Sequence, residues 1–244
     1  MPSRSPAPPE DLERLRAALV AAGRRLGARG LIAAGEGNVS ARLDGGRLLI
    51  TPSGRRKDEL SSDDLLIVPI RADVSDSDGP GGAAAAGSQP SSDVTIHRAA
   101  YEARPDVGAV VHAHLPAAMA LTLAGEVPEP AALPETALLL PRLPFIPFAA
   151  PGSAELAAGV AAALAEGPAP LPGAVLLERH GAVAVGATVE QAVDRLELVE
   201  VLCRAWRDAL LIQAAATGRG ARAILRPPSP RPGTPARGRV RRQP

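Results

Sequence analysis

The stretch VGAVVHAH, residues 107–114, is an apolar run that ends in two histidines one residue apart. A continuous apolar run of this length is typical of a buried β-strand. Successive side chains of a strand alternate between its two faces, so His112 and His114 are predicted to share one face. A rise of about 3.3 Å per residue separates their backbones by about 7 Å, which lets both imidazoles reach one ion. The pattern predicts either part of a divalent-metal site, which suits imidazole, or two polar residues where the strand leaves the core.

A third histidine, His180, ends another apolar strand, AVLLERH, residues 174–180. Gly181 after it permits a tight turn or a close backbone approach. If the two strand ends face each other across one end of a sheet, three imidazoles and an open position form the layout of a catalytic zinc site. The fourth histidine, His97, lies on a predicted helix. We expect it at the surface, with a supporting role behind the metal ligands as the alternative.

Helical and strand-like patterns are interspersed along the chain. Apolar residues recur at helical spacing from Leu12 to Leu26, and NVSARL and RLLITPSG flank the turn DGG as in a β-hairpin. The segment SSDVTIHRAAYEARP predicts a helix capped by Ser91 or Ser92, and Ser153 is the predicted cap of SAELAAGVAAALAEG. TVEQ forms a capping box before the last helix. This order predicts an α/β sandwich around a mixed sheet, without internal repeats.

Three segments lack the apolar periodicity of folded elements. Residues 1–8 form a short polar lead, residues 71–90 are a low-complexity insertion, and residues 219–244 are rich in proline and arginine. Such compositions cannot bury a core, so we expect these segments to be flexible or disordered. One folded domain over residues 9–218 remains, interrupted by the insertion.

Charge and composition exclude several classes of protein. Residues 221–244 hold seven arginines and no acid, so subtracting them from the formal charge of +1 leaves the rest of the chain at −6. An acidic body with a basic tail argues against a nucleic-acid-binding domain. No apolar run reaches the roughly 18 residues of a membrane span. The single cysteine, Cys203, allows no internal disulfide, and we expect a soluble cytoplasmic protein with an aliphatic core.

Two polar turns favour an anion such as phosphate. TPSG, residues 51–54, and SSD, residues 91–93, offer hydroxyls and backbone amides, the latter near a predicted helix N-terminus. Taken alone, each is better explained as an ordinary turn or cap. The glycine-rich GEGNVSARL, residues 35–43, is not G-x-G-x-x-G and leads into a strand, so it does not predict a dinucleotide site.

Taken together, these motifs resemble the class II aldolase/adducin family. GEGNVSARL, LLITPSG, SSDVTIHRAAYEARPDVGAVVHAH and LLERHGAVAVG occur in the order of that family and at compatible distances. The resemblance covers roughly residues 10–215. It implies a three-layer α/β/α sandwich around a central mixed, largely antiparallel sheet. It also implies a homotetramer with active sites at the subunit interfaces.

The resemblance also assigns roles to individual residues. The zinc ligands of the family match His112, His114 and His180, with one metal per subunit, and its catalytic acid/base carboxylate falls on Asp93. Its phosphate pocket matches Asn38, Ser53, Gly54, Ser91 and Ser92. The implied activity is that of a carbon–carbon lyase, a zinc-dependent aldolase. It would cleave a phosphorylated ketose such as L-fuculose 1-phosphate to dihydroxyacetone phosphate and an aldehyde.

Because the sequence departs from the aldolase pattern in two places, other reactions of the same family remain alternatives. The aldolases usually have Glu where this chain has Asp93, and L-ribulose-5-phosphate 4-epimerases have Asp there. The aldolase also uses tyrosines of a neighbouring subunit, whereas the only tyrosine here is Tyr101, within a predicted helix. Glu135, in ALPETALLL, lies in the region of the sequence where the aldolases have one of those tyrosines, and it is a candidate substitute acid. The alternatives are an epimerase, a sugar-phosphate dehydratase or decarboxylase and, in another class, a non-enzymatic adducin-like scaffold.

Overall fold

The computed structural model describes residues 9–71 and 89–216. Within these ranges the helices are α1 Pro9–Ala28, α2 Val94–Ala103, α3 Pro116–Leu123, α4 Pro134–Leu139, α5 Ala154–Ala165 and α6 Val189–Ala216. The strands are β1 Asn38–Leu43, β2 Arg47–Ile50, β3 Leu66–Pro69, β4 Ala109–Ala113, β5 Phe145–Ile146, β6 Ala174–Leu177 and β7 Gly181–Gly186. The predicted hairpin is therefore confirmed as β1 and β2.

The strands form one seven-stranded sheet in the order β3-β2-β1-β4-β7-β6-β5. Neighbouring strands are antiparallel except for β5 and β6, which are parallel. The expected mixed, largely antiparallel sheet is confirmed, and β4 lies at its centre. In this register His112 of β4 is flanked by Asn38 of β1 on one side and by Val183 of β7 on the other.

Helices cover both faces of the sheet. Val111 of β4 belongs to a core shared with α1, α3 and α6, whereas its neighbour Val110 belongs to a core shared with α2 and α5. This alternation follows from the opposite orientation of successive strand side chains. The three-layer α/β/α sandwich is thus confirmed, with Asn38, Ser40 and His112 on the face covered by α2.

The helix caps differ in one place from the sequence prediction. Ser153 caps α5 as expected, because its Oγ accepts a hydrogen bond from Leu156 N at 3.1 Å. The prediction that Ser91 or Ser92 caps α2 is wrong, since the cap residue is Asp93 and makes no side-chain cap bond. The hydroxyl of Ser91 accepts from the backbone N–H of Asp93 at 3.3 Å and from Nδ2 of Asn38 on β1 at 2.8 Å.

The predicted lead 1–8 and tail 219–244 lie outside the described residues, as do residues 72–88 of the predicted insertion 71–90. Within the described ranges, no helix has both the length and the apolarity that a bilayer crossing requires.

Candidate metal centre and substrate cavity

Three imidazoles meet where the end of β4 lies beside the turn between β6 and β7. The ring centroids lie 5.1 Å apart for His112 and His114, 4.7 Å for His112 and His180, and 4.9 Å for His114 and His180. One candidate ligand atom from each ring lies within 4.8 Å of the others. The structure therefore brings together the three histidines that the two strand ends predicted.

Gly181 permits this convergence. Its φ is +113°, and a Cβ at this position would lie 2.1 Å from the carbonyl oxygen of Ala113. Any other residue would force β7 away from β4 and would carry His180, one residue earlier, out of the cluster.

The nitrogen atoms of the cluster fit a divalent metal. The buried Nε2 of His112 and Nδ1 of His180 have no hydrogen-bond partner, an arrangement that is costly unless another group, such as a metal, satisfies them. Burial, followed by the neighbouring imidazoles, lowers the pKa of His112 well below its ordinary value. Burial and His114 lower the pKa of His180 in the same direction. Neutral imidazole is the form that binds a metal.

Two of the rings are oriented by partners on the side away from the cluster. Nδ1 of His112 donates to the carbonyl oxygen of Ala182 at 3.0 Å, and Nδ1 of His114 donates to Oε2 of Glu36 at 3.0 Å. Each bond leaves the Nε2 lone pair free, which is the usual arrangement of metal-ligating histidines. The sequence analysis missed Glu36. The acid between two glycines at 35–37 was its only signal, because nothing in the sequence pairs it with a histidine 78 residues away.

Asp93 lies beside the cluster. Its Oδ2 is 3.8 Å from Nε2 of His112 and accepts a hydrogen bond from Nδ2 of Asn38 at 3.1 Å. Its Oδ1 is buried and has no partner. The side chain is thus held at one oxygen, and the other makes no hydrogen bond within the described residues.

The predicted phosphate-binding residues line one cavity of about 370 Å³ that reaches the histidines. The lining residues are Gly35, Glu36, Gly37, Asn38, Ser53, Gly54, Ser91, Ser92, Asp93, His114, Pro151, Arg179 and His180. Ser53 is fixed by a backbone bond from its N–H to the carbonyl of Gln89 at 2.9 Å, and Pro52 pairs with Pro90 in a β-bridge. His112 is fully buried behind the cavity wall.

The other proposed catalytic acid, Glu135, lies elsewhere. It is exposed in the first turn of α4 and does not line the cavity. Within one subunit the structure therefore does not bring Glu135 and Asp93 together.

The expectation that His97 lies at the surface is wrong. Its side chain is fully buried between α2 and β1, and burial lowers its pKa to about 3. A helical spacing of four connects Asp93, His97 and Tyr101, all three buried. That spacing was the signal that could have placed His97 on the sheet-facing side of α2.

Arg179 is a second residue that the sequence analysis missed. It lines the cavity, and its φ of +58° is left-handed, which is uncommon for a residue with a side chain. Its backbone N–H donates to Oγ1 of Thr122 at 2.9 Å, and its guanidinium lies 4.3 Å from the ring centroid of Phe148. These contacts hold the turn that carries His180.

A cluster of three imidazoles, two of them buried, with an adjacent carboxylate and a hydroxyl-lined cavity supports metal-assisted chemistry on a phosphorylated molecule. The family model of the Class II Aldolase and Adducin N-terminal domain matches residues 17–207. The chain belongs to the class II aldolase/adducin family.

Curated relatives within this family catalyse different reactions. The chain is 35% identical over 202 residues to methylthioribulose-1-phosphate dehydratase of Acidiphilium cryptum, which covers 75% of this chain and 85% of that protein. It is 32% identical over 189 residues to 5-methylthioribulose-1-phosphate/5-deoxyribulose-1-phosphate aldolase of Escherichia coli, covering 75% and 79%. A match to the methylthioribulose-1-phosphate dehydratase of Gluconacetobacter diazotrophicus is 41% identical over 105 residues and spans only 43% of this chain and 47% of that protein.

A solved structure supports the fold assignment. L-fuculose-1-phosphate aldolase of Thermus thermophilus superposes with a TM-score of 0.66 at 31% identity, covering 85% of this chain and 98% of that chain. The curated relatives matched over most of their length are named for reactions of sugar phosphates, and in this chain His112, His114 and His180 form a candidate divalent-metal site. Together these findings make the protein an enzyme of the sugar-phosphate lyase type within the family.

Proposed function

We propose that the protein is a metal-dependent dehydratase of 5-methylthioribulose 1-phosphate or a closely related 5-deoxyketose 1-phosphate. The observation that carries the proposal is the position of Asp93. Its unpartnered Oδ1 is buried beside the three-imidazole cluster, in the wall of a cavity that also presents the serine hydroxyls.

Two relatives support this substrate more strongly than either reaction. A dehydratase and an aldolase, named for different chemistry, are both named for methylthioribulose 1-phosphate. Their matches cover three quarters of this chain each. L-fuculose 1-phosphate, which the resemblance first implied, therefore becomes the secondary candidate.

Zinc is the proposed metal, held by His112, His114 and His180. When bound, it would supply Lewis acidity towards the oxygens of the hydroxyketone. The protein's own contribution begins with orientation, because Ala182 and Glu36 fix the rings of two ligands. For the phosphate end of the substrate, we propose Ser53, Gly54, Ser91 and Ser92, with Asn38 supporting Ser91 through a hydrogen bond of 2.8 Å.

Dehydration of such a ketose removes a proton from C3 and the hydroxyl from C4 as water. Asp93 is proposed to take the C3 proton through Oδ1, while Asn38 holds Oδ2. The leaving hydroxyl needs a proton donor, and we assign this to Glu135. Aldol cleavage of the same ketose would instead remove the proton from the C4 hydroxyl, break the C3–C4 bond and return a proton to C3, so it also needs a base and an acid. The products therefore distinguish the two reactions.

Glu135 can act only if another subunit supplies it, because it does not line the cavity of its own chain. The surface around it supports association. Leu138 and Leu139, on α4 like Glu135, are 78% and 52% exposed. Large apolar side chains exposed next to each other favour a protein–protein contact. We therefore propose a homotetramer in which α4 reaches the cavity of a neighbouring subunit.

The test is an assay of zinc-loaded protein with 5-methylthioribulose 1-phosphate. Dehydration gives a phosphorylated diketone, detected by mass spectrometry as the substrate minus one water. Aldol cleavage gives dihydroxyacetone phosphate, detected by coupling to glycerol-3-phosphate dehydrogenase. We expect the diketone, chelator-sensitive formation, and no dihydroxyacetone phosphate. L-fuculose 1-phosphate and L-ribulose 5-phosphate serve as comparison substrates.

Other outcomes select the alternatives. Dihydroxyacetone phosphate from the first substrate would assign aldolase activity, and turnover of L-fuculose 1-phosphate alone would restore the first candidate. Epimerisation of L-ribulose 5-phosphate would assign the epimerase. A decarboxylase is the remaining enzymatic alternative, since the chain is also 33% identical over 197 residues to 3-oxo-tetronate 4-phosphate decarboxylase of Cupriavidus necator. Protein that binds no metal and turns over none of these substrates would favour the adducin-like scaffold.

A further inference from the structure

His97 lies behind the side of the cavity that Asn38 and Asp93 form, and the proposed chemistry gives it no role. Its Nε2 lies 2.5 Å from Oδ1 of Asn38, and its Nδ1 lies 2.6 Å from Oγ of Ser40. Beyond Ser40, the hydroxyl of Tyr101 lies 2.8 Å from the same Oγ. His97 does not line the cavity, so it cannot touch a substrate.

These side chains form a series of hydrogen bonds that ends at the carboxylate of Asp93, and that carboxylate determines the direction of every bond in the series. Asp93 only accepts, so the amide NH₂ of Asn38 must face it, and Oδ1 of Asn38 must face His97. Because that Oδ1 also only accepts, Nε2 of His97 carries the proton.

The remaining ring nitrogen then has to accept. Nδ1 of His97 accepts from the hydroxyl of Ser40, whose oxygen in turn accepts from the hydroxyl of Tyr101. The ring has to be neutral for this arrangement, and its burial keeps it so.

We propose that His97 is a positioning residue that fixes the amide of Asn38, and through it the carboxylate of Asp93. The oxygen and the NH₂ group of an amide differ little in shape, so the side-chain amide of Asn38 could flip by 180° at small steric cost. The flipped amide would place its oxygen against the carboxylate of Asp93 and could no longer donate a hydrogen bond to Ser91. The N–H of His97 opposes this, because it needs an acceptor at the place where Oδ1 stands.

The orientation of Asn38 determines which oxygen of Asp93 stays free of hydrogen bonds. With Asn38 held, Oδ2 is engaged and Oδ1 remains the buried oxygen without a partner. This step rests on the proposed role of Asp93 as the base. His97 would therefore influence the rate of the proton transfer more than the binding of substrate.

Two substitutions at position 97 separate this role from a packing role. His97→Gln places an amide nitrogen near the position of Nε2 and can still donate to Asn38. His97→Asn is shorter, so it keeps a partner for Ser40 but cannot reach Asn38. Tyr101→Phe is the matched control, because it removes a hydroxyl from the far end and leaves the bond between His97 and Asn38 intact.

With 5-methylthioribulose 1-phosphate, we expect His97→Asn to lower kcat by about 10-fold or more, the scale seen for partners that orient active-site groups, with KM within about 3-fold. His97→Gln should recover most of kcat, and Tyr101→Phe should keep it while lowering the melting temperature. Equal losses of kcat in the Asn and Gln variants, or a change confined to KM, would overturn the proposal.

A second measurement does not depend on the substrate. Long-range proton–nitrogen NMR of ¹⁵N-histidine-labelled parent protein identifies the tautomer of His97, assigned by the signal that the Gln variant lacks. We expect a neutral ring protonated at Nε2. A ring protonated at Nδ1 would refute the proposal even in an active enzyme. An Nε2–H ring in a protein inactive on this ketose would sustain the hydrogen-bond assignment and refute the proposed function instead.

Discussion

At the scale of single residues, the metal site makes the most direct prediction. Replacing His112 or His180 with Ala removes a ligand and should abolish most bound zinc, measured by plasma mass spectrometry after purification. His97→Gln is the control, because it changes the one histidine that lies outside the cluster and should retain zinc. Full zinc occupancy in both alanine variants would contradict the site assignment.

Asp93 makes the second prediction at this scale. Asp93→Asn keeps the shape and an oxygen that can accept from Asn38, but it cannot take a proton. We expect turnover to fall about 100-fold or more, the scale of general acid–base catalysis, with zinc still bound. Asp93→Glu restores the carboxylate one methylene further out and should retain partial activity. Single-turnover rates measure both effects, and an Asn variant as fast as the parent would remove Asp93 from the mechanism.

At the scale of elements, the turn between β6 and β7 stores backbone strain at Arg179. A left-handed backbone costs a residue with a side chain about 1–2 kcal/mol, and glycine avoids this cost. Glycine also loses more conformational entropy on folding, which cancels about 0.5–1 kcal/mol of that gain. Arg179→Gly should therefore be more stable than Arg179→Ala by about 0.5–1 kcal/mol. Urea unfolding of both variants measures this difference while both lack the contact with Phe148. An alanine variant as stable as the glycine variant would contradict the strain.

The sequence predicted those elements whose pattern is local. The turn DGG placed the hairpin of β1 and β2, and the apolar run with H-x-H placed β4 and two ligands on one face. It could not predict partners far apart along the chain. Glu36 orients His114 across 78 residues, and the carboxylate of Glu200 on α6 accepts from Ala117 N at the start of α3 across 83 residues. Both depend on how the layers pack.

The start of α2 shows the same limit within one element. Ser91 has the residue type of a helix cap, and local preference alone places it there. In the structure Asp93 is the cap residue, and the hydroxyl of Ser91 accepts both from Asn38 on β1 at 2.8 Å and from the backbone N–H of Asp93 at 3.3 Å. The surface position expected for His97 was wrong for a different reason. The spacing of four that puts Asp93, His97 and Tyr101 on one buried side of α2 was present in the sequence but was not used.

At the scale of the whole molecule, the chain leaves Glu135 on an exposed helix and Asp93 in a cavity. If each active site takes Asp93 from one subunit and Glu135 from its neighbour, mixed oligomers of two inactive variants should recover activity. Co-expressed Asp93→Asn and Glu135→Gln chains then form sites that have both carboxylates. With random assembly of equal amounts, about a quarter of the sites are intact, so we expect about a quarter of the parental activity.

The matched control is co-expression of Asp93→Asn with His112→Ala. Both of these changes damage the half-site that one chain supplies, so no mixture contains an intact site and activity should stay at the level of the single variants. Recovery in the first pair and none in the second would place Glu135 in the site of a neighbouring subunit. If neither pair recovers although mass spectrometry detects mixed oligomers, Glu135 does not act across the interface. The proton donor of the reaction must then come from another group.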